Sequence, residues 1–430
     1  MLARAAVKKM KYGLIGGRLG HSFSREIHRK IADYPYELCE LTPKEVPEFL
    51  RQRDFEAINV TIPYKQTVIP YLDSIDEAAR RIGAVNTIVR RNGKLYGYNT
   101  DYSGAAALLR HAGIHPEGRR VLILGSGGTS RTLHTVVADL GASRVLIASR
   151  HPEPGVSVSY EEALRLASDT EILLNATPVG MFPATDGCPI RILPDADGSL
   201  PFPSLCGVAD VIYNPLRTPL IRHAQALGLP AEGGLYMLAA QGVYASAYFR
   251  GIPADADDIA RVFHSVLAEK QNIVLIGMPS SGKSTVGALL AEKTGRSLWD
   301  SDAEIVRRAG KSIPELFASE GEAGFRARER EVIADLAGRQ GILLATGGGA
   351  VLDPVNADLL RANGRLYFLD RSPALLTATA DRPLSSDREA LEKRYAERYD
   401  RYVAAADCVI PNNGTPKEAA DRILAAEAQQ

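Results

Sequence analysis

Short apolar runs, each followed by a glycine-rich or polar turn, recur along the whole chain and predict strands that alternate with helices. These runs lie at residues 12–15, 57–62, 120–124, 144–148 and 273–276. Continuous apolar runs are typical of strands buried on both faces, and their alternation with helical segments favours parallel sheets covered by helices. We therefore predict an α/β protein.

Charge and cysteine content narrow the class of protein. Lysine plus arginine and aspartate plus glutamate number 51 each in 430 residues, which argues against a nucleic-acid or membrane-surface partner. No apolar run is long enough to span a membrane, and the basic segment 1–11 has the features of a short disordered leader rather than a signal peptide. Four scattered cysteines predict buried free thiols. We expect a soluble, cytoplasmic protein that acts on small molecules.

The segment 272–284 carries the most specific motif in the chain. A predicted strand leads directly into Gly277-x-x-x-x-Gly282-Lys283-Ser284, and a helical pattern follows. Glycines allow backbone N–H groups to surround phosphates, a lysine reaches the outer phosphates, and the serine hydroxyl can bind Mg²⁺. We predict an ATP site with Mg²⁺ on Ser284. The expected nucleotide-binding residues are Gly277, Ser280, Ser281, Gly282, Lys283, Ser284 and Thr285.

Polar residues follow several predicted strand ends within the first hundred residues. In an open α/β sheet such positions face a ligand crevice, and this set suits a small polyhydroxy acid. The set comprises Ser22, Ser24, Asn59, Thr61, Lys65, Asn86 and Asp101.

The segments that carry these residues, GHSFS at 20–24, NVTIPYK at 59–65, GAVNT at 83–87 and GYNTD at 97–101, resemble shikimate dehydrogenase. The resemblance runs from about residue 12 to about residue 250. It implies that Lys65 and Asp101 are the catalytic pair and that the remaining polar residues, with Tyr213 and Gln241, bind the substrate. An ammonium beside a carboxylate can protonate a ketone oxygen as hydride reaches the carbon. Which of the two residues donates the proton stays open.

A second glycine turn, residues 125–131, follows the apolar run 120–124 and is close to a dinucleotide-binding fingerprint. The next predicted strand ends in Ser149-Arg150-His151, where NAD-binding proteins usually carry an acid. A guanidinium suits a 2′-phosphate, so we predict NADP(H). Turn, strand end and resemblance together assign the cofactor to Gly125, Gly127, Gly128, Thr129, Ser149, Arg150, Thr177, Met181 and Gly234.

The last third of the chain, residues 272 to about 425, resembles shikimate kinase. The resemblance rests on the phosphate loop, an Asp-x-Asp at 300–302, Gly-Phe-Arg at 324–326, three glycines at 347–349 and Arg-Pro-Leu at 382–384. It implies that Asp300 supports Mg²⁺, that Asp302 and Lys283 are catalytic, and that Arg382 lies on a lid over ATP. Shikimate would be bound by Asp302, Arg326, Gly347, Gly348, Gly349 and Arg398, with Arg394 a rival for the last role.

Together these features predict a substrate-binding α/β domain, a Rossmann-like NADP domain and a P-loop kinase domain with a parallel sheet. We expect residues 1–270 to form the dehydrogenase region, with a discontinuous substrate domain (1–104 and about 237–265) around a cofactor domain (about 105–236). Residues 271–430 would form the kinase. The chain would reduce 3-dehydroshikimate with NADPH and phosphorylate the resulting shikimate with ATP.

Three alternatives stay open. The first half could prefer quinate and NAD, and the second could be another small-molecule P-loop kinase, such as an adenylate or gluconate kinase. The second half could also be a nucleotide sensor without turnover. Orientation of the halves, channelling and oligomeric state are not predicted.

Overall fold

The computed structural model describes residues 10–20, 22–376 and 388–429. The chain forms two compact units, Met1–Val266 and Leu267–Gln430. Three sheets are covered by helices, so the predicted α/β class is confirmed. Within the described ranges, no helix is both long and apolar enough to cross a membrane. All four cysteines are free thiols, but Cys206 is exposed, so the prediction that all are buried is wrong.

The first sheet has six strands in the order β2-β1-β3-β5-β6-β4. They are β1 Tyr12–Gly16, β2 Glu37–Glu40, β3 Ala57–Val60, β4 Ser74–Ile75, β5 Thr87–Arg91 and β6 Lys94–Tyr98. Strand β1 pairs in parallel with β2 and β3, whereas β5 is antiparallel to β3 and β6. The hairpin β5–β6 turns at Asn92 and Gly93, which both have positive φ as a tight two-residue turn requires. The sheet is therefore mixed rather than mainly parallel.

The second sheet is wholly parallel, in the order β11-β10-β9-β7-β8. Its strands are β7 Arg120–Leu124, β8 Arg144–Ala148, β9 Ile172–Asn175, β10 Gly207–Asp210 and β11 Ala231–Glu232. The helices up to the end of this sheet are α1 Ser24–Ile31, α2 Val46–Gln52, α3 Glu77–Ile82, α4 Thr100–His111, α5 Gly128–Asp139, α6 Tyr160–Leu166 and α7 Pro219–Ala226. Apolar side chains on both faces of β7 and β9 form the core here, as expected for strands covered on both sides.

Two further helices, α8 Leu235–Arg250 and α9 Ala256–Lys270, follow the second sheet. Helix α8 returns to the first sheet and packs closely on α4 and α1. A Cβ atom at Gly104 of α4 would lie 2.8 Å from the Met237 carbonyl oxygen, and one at Gly242 would lie 2.7 Å from Cγ2 of Ile27. The two glycines allow this close approach, which brings α8 to the polar strand ends of the first sheet.

The second unit contains one parallel sheet in the order β13-β14-β12-β15-β16. Its strands are β12 Asn272–Ile276, β13 Leu298–Asp300, β14 Leu343–Ala345, β15 Gly364–Asp370 and β16 Cys408–Pro411. Its helices are α10 Lys283–Thr294, α11 Ser301–Ala309, α12 Ile313–Ala337, α13 Pro354–Asn363, α14 Arg388–Ala405 and α15 Pro416–Glu427. Helix α12 is broken at Gly321, whose φ of 70° is not helical. The fully buried β12 is the central strand, so its carboxyl end lies between those of β14 and β15.

Candidate active sites

Lys65 and Asp101 meet at the carboxyl edge of the first sheet. Lys65 lies in the turn after β3, where its carbonyl oxygen accepts a hydrogen bond from the Val85 N–H at 2.8 Å. Asp101 lies in the first turn of α4, which is capped by the Asn99 side chain. The Lys65 Nζ and Asp101 Oδ2 atoms are 2.6 Å apart, and both side chains are partly exposed. A charge-assisted hydrogen bond of this length holds the ammonium in one position while leaving it accessible.

A cavity of about 250 Å³ opens beside this ion pair. Gly128 and Thr129 of α5 line it together with Lys65 and Asp101, so the first turn of the dinucleotide-type helix faces the predicted catalytic pair. The sequence reasoning missed four other polar lining residues, which are Gln66, Asn99, Arg131 and Thr132. Two of these could have been inferred from their position, because Arg131 ends the glycine turn and Thr132 directly follows it.

Asn59 and Asn86 are buried and do not line the cavity. The Asn59 Nδ2 donates to the Asn86 carbonyl oxygen at 3.2 Å and to Thr87 Oγ1 at 3.0 Å. The Asn86 Oδ1 accepts from the backbone N–H of Thr100 at 2.7 Å. Thr61 lies in the turn after β3 and its N–H donates to the Ile15 carbonyl at 2.9 Å. Hydrogen bonds thus link Asn59 and Asn86 across β3, β5 and the start of α4, whereas Thr61 bonds β1.

Ser22 and Ser24 precede and begin α1, and the Ser22 Oγ donates to the Ser24 Oγ at 3.0 Å. The ring of Tyr213 lies 5.3 Å from that of Phe23, between the two serines in sequence. Gln241 lies on α8 facing Gly104, and its Nε2 donates to the Leu238 carbonyl at 3.0 Å. Tyr213 is therefore close to the serine turn, whereas Gln241 packs against Gly104 of α4 and its amide bonds its own helix.

A second cavity, of about 430 Å³, lies at the carboxyl ends of β7, β8 and β9. Gly125 has a φ of 97° and Gly127 has open space beyond its Cα, so the turn can approach a ligand closely. Ser149 is buried and its Oγ lies 2.9 Å from the Ser126 Oγ, which ties the β8 end to the turn. The predicted cofactor residues on its wall are Gly125, Gly127, Ser149, Arg150 and Thr177.

The chemistry of this cavity fits NADP(H). The exposed Arg150 guanidinium and the amino terminus of α5 both favour phosphate, and none of the lining residues is acidic. His151, Tyr160 and Cys188 also line it and were not predicted. Two predicted cofactor residues lie elsewhere. Met181 is 44% exposed outside both cavities, and Gly234 packs against the Val211 carbonyl, where a side chain would collide.

In the second unit the loop between β12 and α10 has the geometry of a phosphate cradle. Gly277, Ser280 and Gly282 have φ values of 141°, 62° and 92°, and such left-handed residues are typical of loops whose N–H groups surround an anion. The buried Lys283 Nζ donates to the carbonyl oxygens of Gly277 and Met278 at 2.9 and 2.8 Å. The buried Ser281 Oγ has no hydrogen-bond partner among the described residues, as expected of a loop that completes its bonding with a ligand. Thr285 follows in the first turn of α10.

Ser284 and Asp300 form the candidate Mg²⁺ position. The Ser284 Oγ donates to Asp300 Oδ2 at 2.9 Å, and Asp300 Oδ1 accepts from the N–H groups of Asp302 and Ala303 at the start of α11. Among the described residues, no group of three or more His, Cys, Asp or Glu side chains could hold a metal ion. One carboxylate and one hydroxyl fit Mg²⁺ that completes its shell with water and phosphate oxygens.

The other predicted kinase residues surround the three glycines after β14. Arg326 Nη1 bonds Glu329 Oε2 at 2.7 Å, and Glu329 is 1% exposed. A Cβ at Gly347 would collide with the Asp302 carboxylate, and one at Gly349 would lie 2.6 Å from Arg326 Nη1. The glycines therefore allow acid and guanidinium to approach the same stretch of backbone.

Helix α14 contacts this glycine stretch through two side chains. The Arg398 Nη1 lies 3.5 Å from the Gly348 carbonyl oxygen, and the buried Tyr402 hydroxyl donates to the same oxygen. Arg382 lies outside the described residues. The unpredicted Glu329, Tyr402, Arg371 and Asn412 also belong to the site. Asn412 Nδ2 donates to the Ser281 carbonyl at 2.6 Å, and Asn412 Oδ1 and Arg371 Nε are buried beside the loop without a partner among the described residues.

The fold and these two sites define a dinucleotide-dependent dehydrogenase region followed by a P-loop kinase. Comparison with known proteins gives the families. Residues 14–88 match the shikimate dehydrogenase substrate-binding domain, and residues 279–427 match shikimate kinase. The chain is 34% identical over 272 residues to an NADP⁺-dependent shikimate dehydrogenase of Clostridium perfringens (strain 13 / Type A), covering 59% of this chain and 97% of the relative.

Two solved structures are similar to the same region. One is a chorismate mutase/shikimate 5-dehydrogenase fusion protein from Clostridium acetobutylicum, 31% identical, with a TM-score of 0.55 over 60% of this chain and 97% of that one. The other is a shikimate 5-dehydrogenase from Thermus thermophilus in complex with NADP(H) and shikimate, 29% identical, with a TM-score of 0.52 over 60% of this chain and 99% of that one.

The chain belongs to the shikimate dehydrogenase family and carries a shikimate kinase domain after the dehydrogenase region. It is therefore a bifunctional enzyme of the shikimate pathway that uses NADP(H), ATP and Mg²⁺. The predicted families, fold class and pair of activities are confirmed. Its substrates are small molecules.

Proposed function

We propose that the dehydrogenase region reduces 3-dehydroshikimate to shikimate and that the kinase domain converts this shikimate to shikimate 3-phosphate. The observation that carries the proposal is the 2.6 Å ion pair of Lys65 and Asp101 on the wall of a cavity shared with α5. An accessible ammonium next to the dinucleotide-type helix is suited to protonating a ketone oxygen.

In the reductive step, bound NADPH supplies the hydride that adds to the ketone carbon. Negative charge then develops on the ketone oxygen, and a fixed ammonium stabilises that charge while it delivers a proton. We assign the delivery to Lys65 Nζ, which Asp101 holds in position. Ser22, Ser24 and Asn59 orient the substrate from the α1 and β3 side. Arg150 binds the 2′-phosphate and selects NADP(H).

In the second step, bound ATP with Mg²⁺ supplies the phosphoryl group. Lys283 exchanges its bonds to two loop carbonyl oxygens for bonds to phosphate oxygens, and Ser284 with Asp300 holds the metal ion. Asp302 orients the shikimate hydroxyl and accepts its proton. Arg326 and Arg398 bind the carboxylate, for which a planar guanidinium is well matched.

The strand order of the second unit supports the assignment of shikimate and ATP to different sides of the phosphate loop. Asp302 and the three glycines follow β13 and β14, on one side of the phosphate loop, whereas Arg371 and Asn412 follow β15 and β16 on the other. Shikimate on the first side and the nucleoside on the second would place the phosphates between them, over β12. Phosphoryl transfer requires this in-line arrangement.

We further propose that the enzyme acts in the cytoplasm on small molecules alone. Its four free thiols suit a reducing compartment, and its balanced charge offers little attraction to nucleic acids or anionic membranes.

A one-pot assay tests the proposal. The purified chain is incubated with 3-dehydroshikimate, NADPH, ATP and Mg²⁺, and products are followed by chromatography. We expect NADPH oxidation followed by ATP-dependent formation of shikimate 3-phosphate. Accumulation of shikimate would contradict the kinase assignment, and no oxidation of NADPH would contradict the reductive direction.

A further inference from the structure

A buried stack of rings lies behind the substrate-binding residues of the dehydrogenase region. His28 of α1 is 1% exposed. Its ring lies parallel to that of Tyr36 with centroids 3.9 Å apart and an interplanar angle of 12°. On another side, Phe249 of α8 stacks at 5.6 Å and 15°. None of these three residues contributes to the chemistry described above.

The polar side-chain atoms of His28 and Tyr36 make hydrogen bonds within the protein. The His28 Nδ1 lies 2.5 Å from the Tyr34 hydroxyl. Burial lowers the pKa of His28 to about 3, although the neighbouring Asn59 side chain raises it slightly. The imidazole is therefore neutral at any working pH, and it acts as a flat, hydrogen-bonded wall rather than as a charge or a proton carrier.

The stack ends on a residue of the substrate set. The buried Tyr36 hydroxyl donates to Asn59 Oδ1 at 2.8 Å. Since Asn59 Nδ2 donates to the Asn86 carbonyl and to Thr87 Oγ1, its amide has one orientation in which oxygen and nitrogen are both satisfied. A rotation by half a turn would place Asn59 Oδ1 against the Asn86 carbonyl oxygen, and two acceptors cannot bond each other.

The bonds continue from Asn59 to the start of α4, the helix that carries Asp101. Thr87 Oγ1 donates to Asn86 Oδ1 at 3.1 Å, and Asn86 Oδ1 also accepts from the Thr100 N–H at the start of α4. The next residue is Asp101. On the other side, the Arg25 Nε, one residue after Ser24, donates to the Tyr36 carbonyl at 3.2 Å. Tyr36 is therefore connected to both the serine turn and the amide pair.

We propose that Tyr36 and His28 are positioning residues for the dehydrogenase substrate site. Tyr36 fixes the orientation of the Asn59 amide through its hydroxyl, and His28 holds the Tyr36 ring through stacking. Neither residue contacts substrate. The inference rests on the proposed function, in which Asn59 and Ser24 orient the substrate.

Replacement of Tyr36 by phenylalanine is the sharpest test, because it keeps the stacked ring and removes only the hydroxyl. We expect the KM for shikimate in its oxidation by the dehydrogenase region to rise about tenfold. This is the effect expected for the loss of one buried hydrogen bond. The kcat should fall less than threefold and the affinity for NADP⁺, measured by calorimetry, should not change. Kinase turnover of the same preparation reports how much chain is intact.

Tyr12→Phe is the matched control. Its ring also stacks on Phe249, at 5.6 Å and 14°, but its hydroxyl bonds the exposed Glu56 at 2.6 Å instead of Asn59. Its shikimate KM should stay within twofold of the parent value. A second variant, His28→Leu, removes the flat ring from the stack and should raise the same KM without altering the pH profile of turnover between pH 6 and 9.

The outcomes are distinct. A shikimate KM for Tyr36→Phe within twofold of the parent overturns the proposal. The proposal is also overturned if the rise in the dehydrogenase KM for shikimate, the fall in kcat and the fall in NADP⁺ affinity are equal in size. Such a result would indicate a general structural role. If the parent chain itself does not oxidise shikimate with NADP⁺, the proposed function fails, whatever the variants do.

Discussion

Lys65 and Asp101 are 36 positions apart in the chain, yet their side chains are joined by a hydrogen bond of 2.6 Å. The turn after β3 carries the lysine, and the Asn99 cap begins the helix that carries the aspartate. The pair is therefore set by two separate local structures at one edge of the sheet. The nucleotide lysine of the second unit has no part in this pair, so the two activities should be separable.

Lys65→Met should lower dehydrogenase kcat by about a thousandfold, within the range for loss of a general acid, and leave kinase turnover unchanged. Lys283→Met should do the reverse, because the loop would lose the charge that neutralises the phosphates. Both rates are measured on the same preparations.

Lys293→Met serves as the control for lysine removal. Its ion pair with Asp421 is exposed, so both activities should stay within twofold. If either catalytic variant lost both activities while its circular dichroism was unchanged, the two sites would not be independent.

Arg150→Ala should weaken selection of the phosphorylated cofactor. Hydrogen bonds to a charged group contribute about 1.5–3 kcal/mol, so the KM for NADP⁺ should rise roughly ten- to a hundredfold. The KM for NAD⁺ should change little, since NAD⁺ carries no 2′-phosphate. Steady-state kinetics with the two cofactors measure the effect.

Arg144→Ala is the comparison for that experiment, because Arg144 is also exposed but bonds the Leu166 carbonyl outside the cavity. It should leave the ratio of the two KM values unchanged. An equal rise for NAD⁺ and NADP⁺ in Arg150→Ala would contradict a role at the 2′-phosphate.

Gly349→Ala should impair shikimate binding by the kinase without affecting ATP binding. The added Cβ would lie 2.6 Å from Arg326 Nη1, so the guanidinium must move away from the position that Glu329 sets. We expect a kinase KM for shikimate at least about tenfold higher, equal to about 1.4 kcal/mol, with ATP binding by calorimetry unchanged.

Gly338→Ala is suited as its control, since Gly338 ends α12 with helical φ and its nearest neighbours lie at 3.4 Å. It should leave the shikimate KM unaltered. If Gly349→Ala and Gly338→Ala had the same kinase KM for shikimate, the assignment of Arg326 to the shikimate carboxylate would be wrong.

Glu232→Gln should stabilise the first unit at alkaline pH. Burial raises the pKa of Glu232 from 4.5 to about 7, so the folded unit binds a proton more tightly than the unfolded chain between these values. The stability that this provides is present at acid pH and is lost as pH rises through 7, by up to about 3 kcal/mol. The melting temperature of the first unit in the variant should be close to that of the parent at pH 5 and higher than that of the parent at pH 8.

Calorimetry measures both melting transitions, and fluorescence of Trp299, the single tryptophan, identifies the transition of the second unit.

Glu171→Gln should change the stability of the first unit in the opposite direction. Its hydrogen bond and ion pair with Arg119 lower the pKa of Glu171, so its removal should destabilise the unit at pH 8. The raised pKa of Glu232 would be contradicted if the melting temperature of the parent's first unit did not fall, relative to that of Glu232→Gln, between pH 5 and pH 8.

The local motifs were the most predictable part of both sites. The phosphate loop, the glycine turn after β7 and the strand-end residues Lys65 and Arg150 each occupy one short segment. Their conformation depends on neighbouring glycines and on the strand that precedes them, so the pattern of a dozen residues predicts where they lie. The mixed first sheet was missed because a two-residue Asn-Gly hairpin interrupts the alternation of strands and helices.

The sequence by itself determined the α/β class, the order of the motifs and the chemistry that each motif can perform. The tertiary structure decided which distant residues support them. Glu329 behind Arg326, Tyr402 on Gly348 and Tyr36 on Asn59 carry no local signal, because each depends on a partner brought close only by packing. Local backbone preference acts over a few residues, whereas burial and hydrogen-bond satisfaction depend on the whole core, and for that reason these contacts required the folded chain.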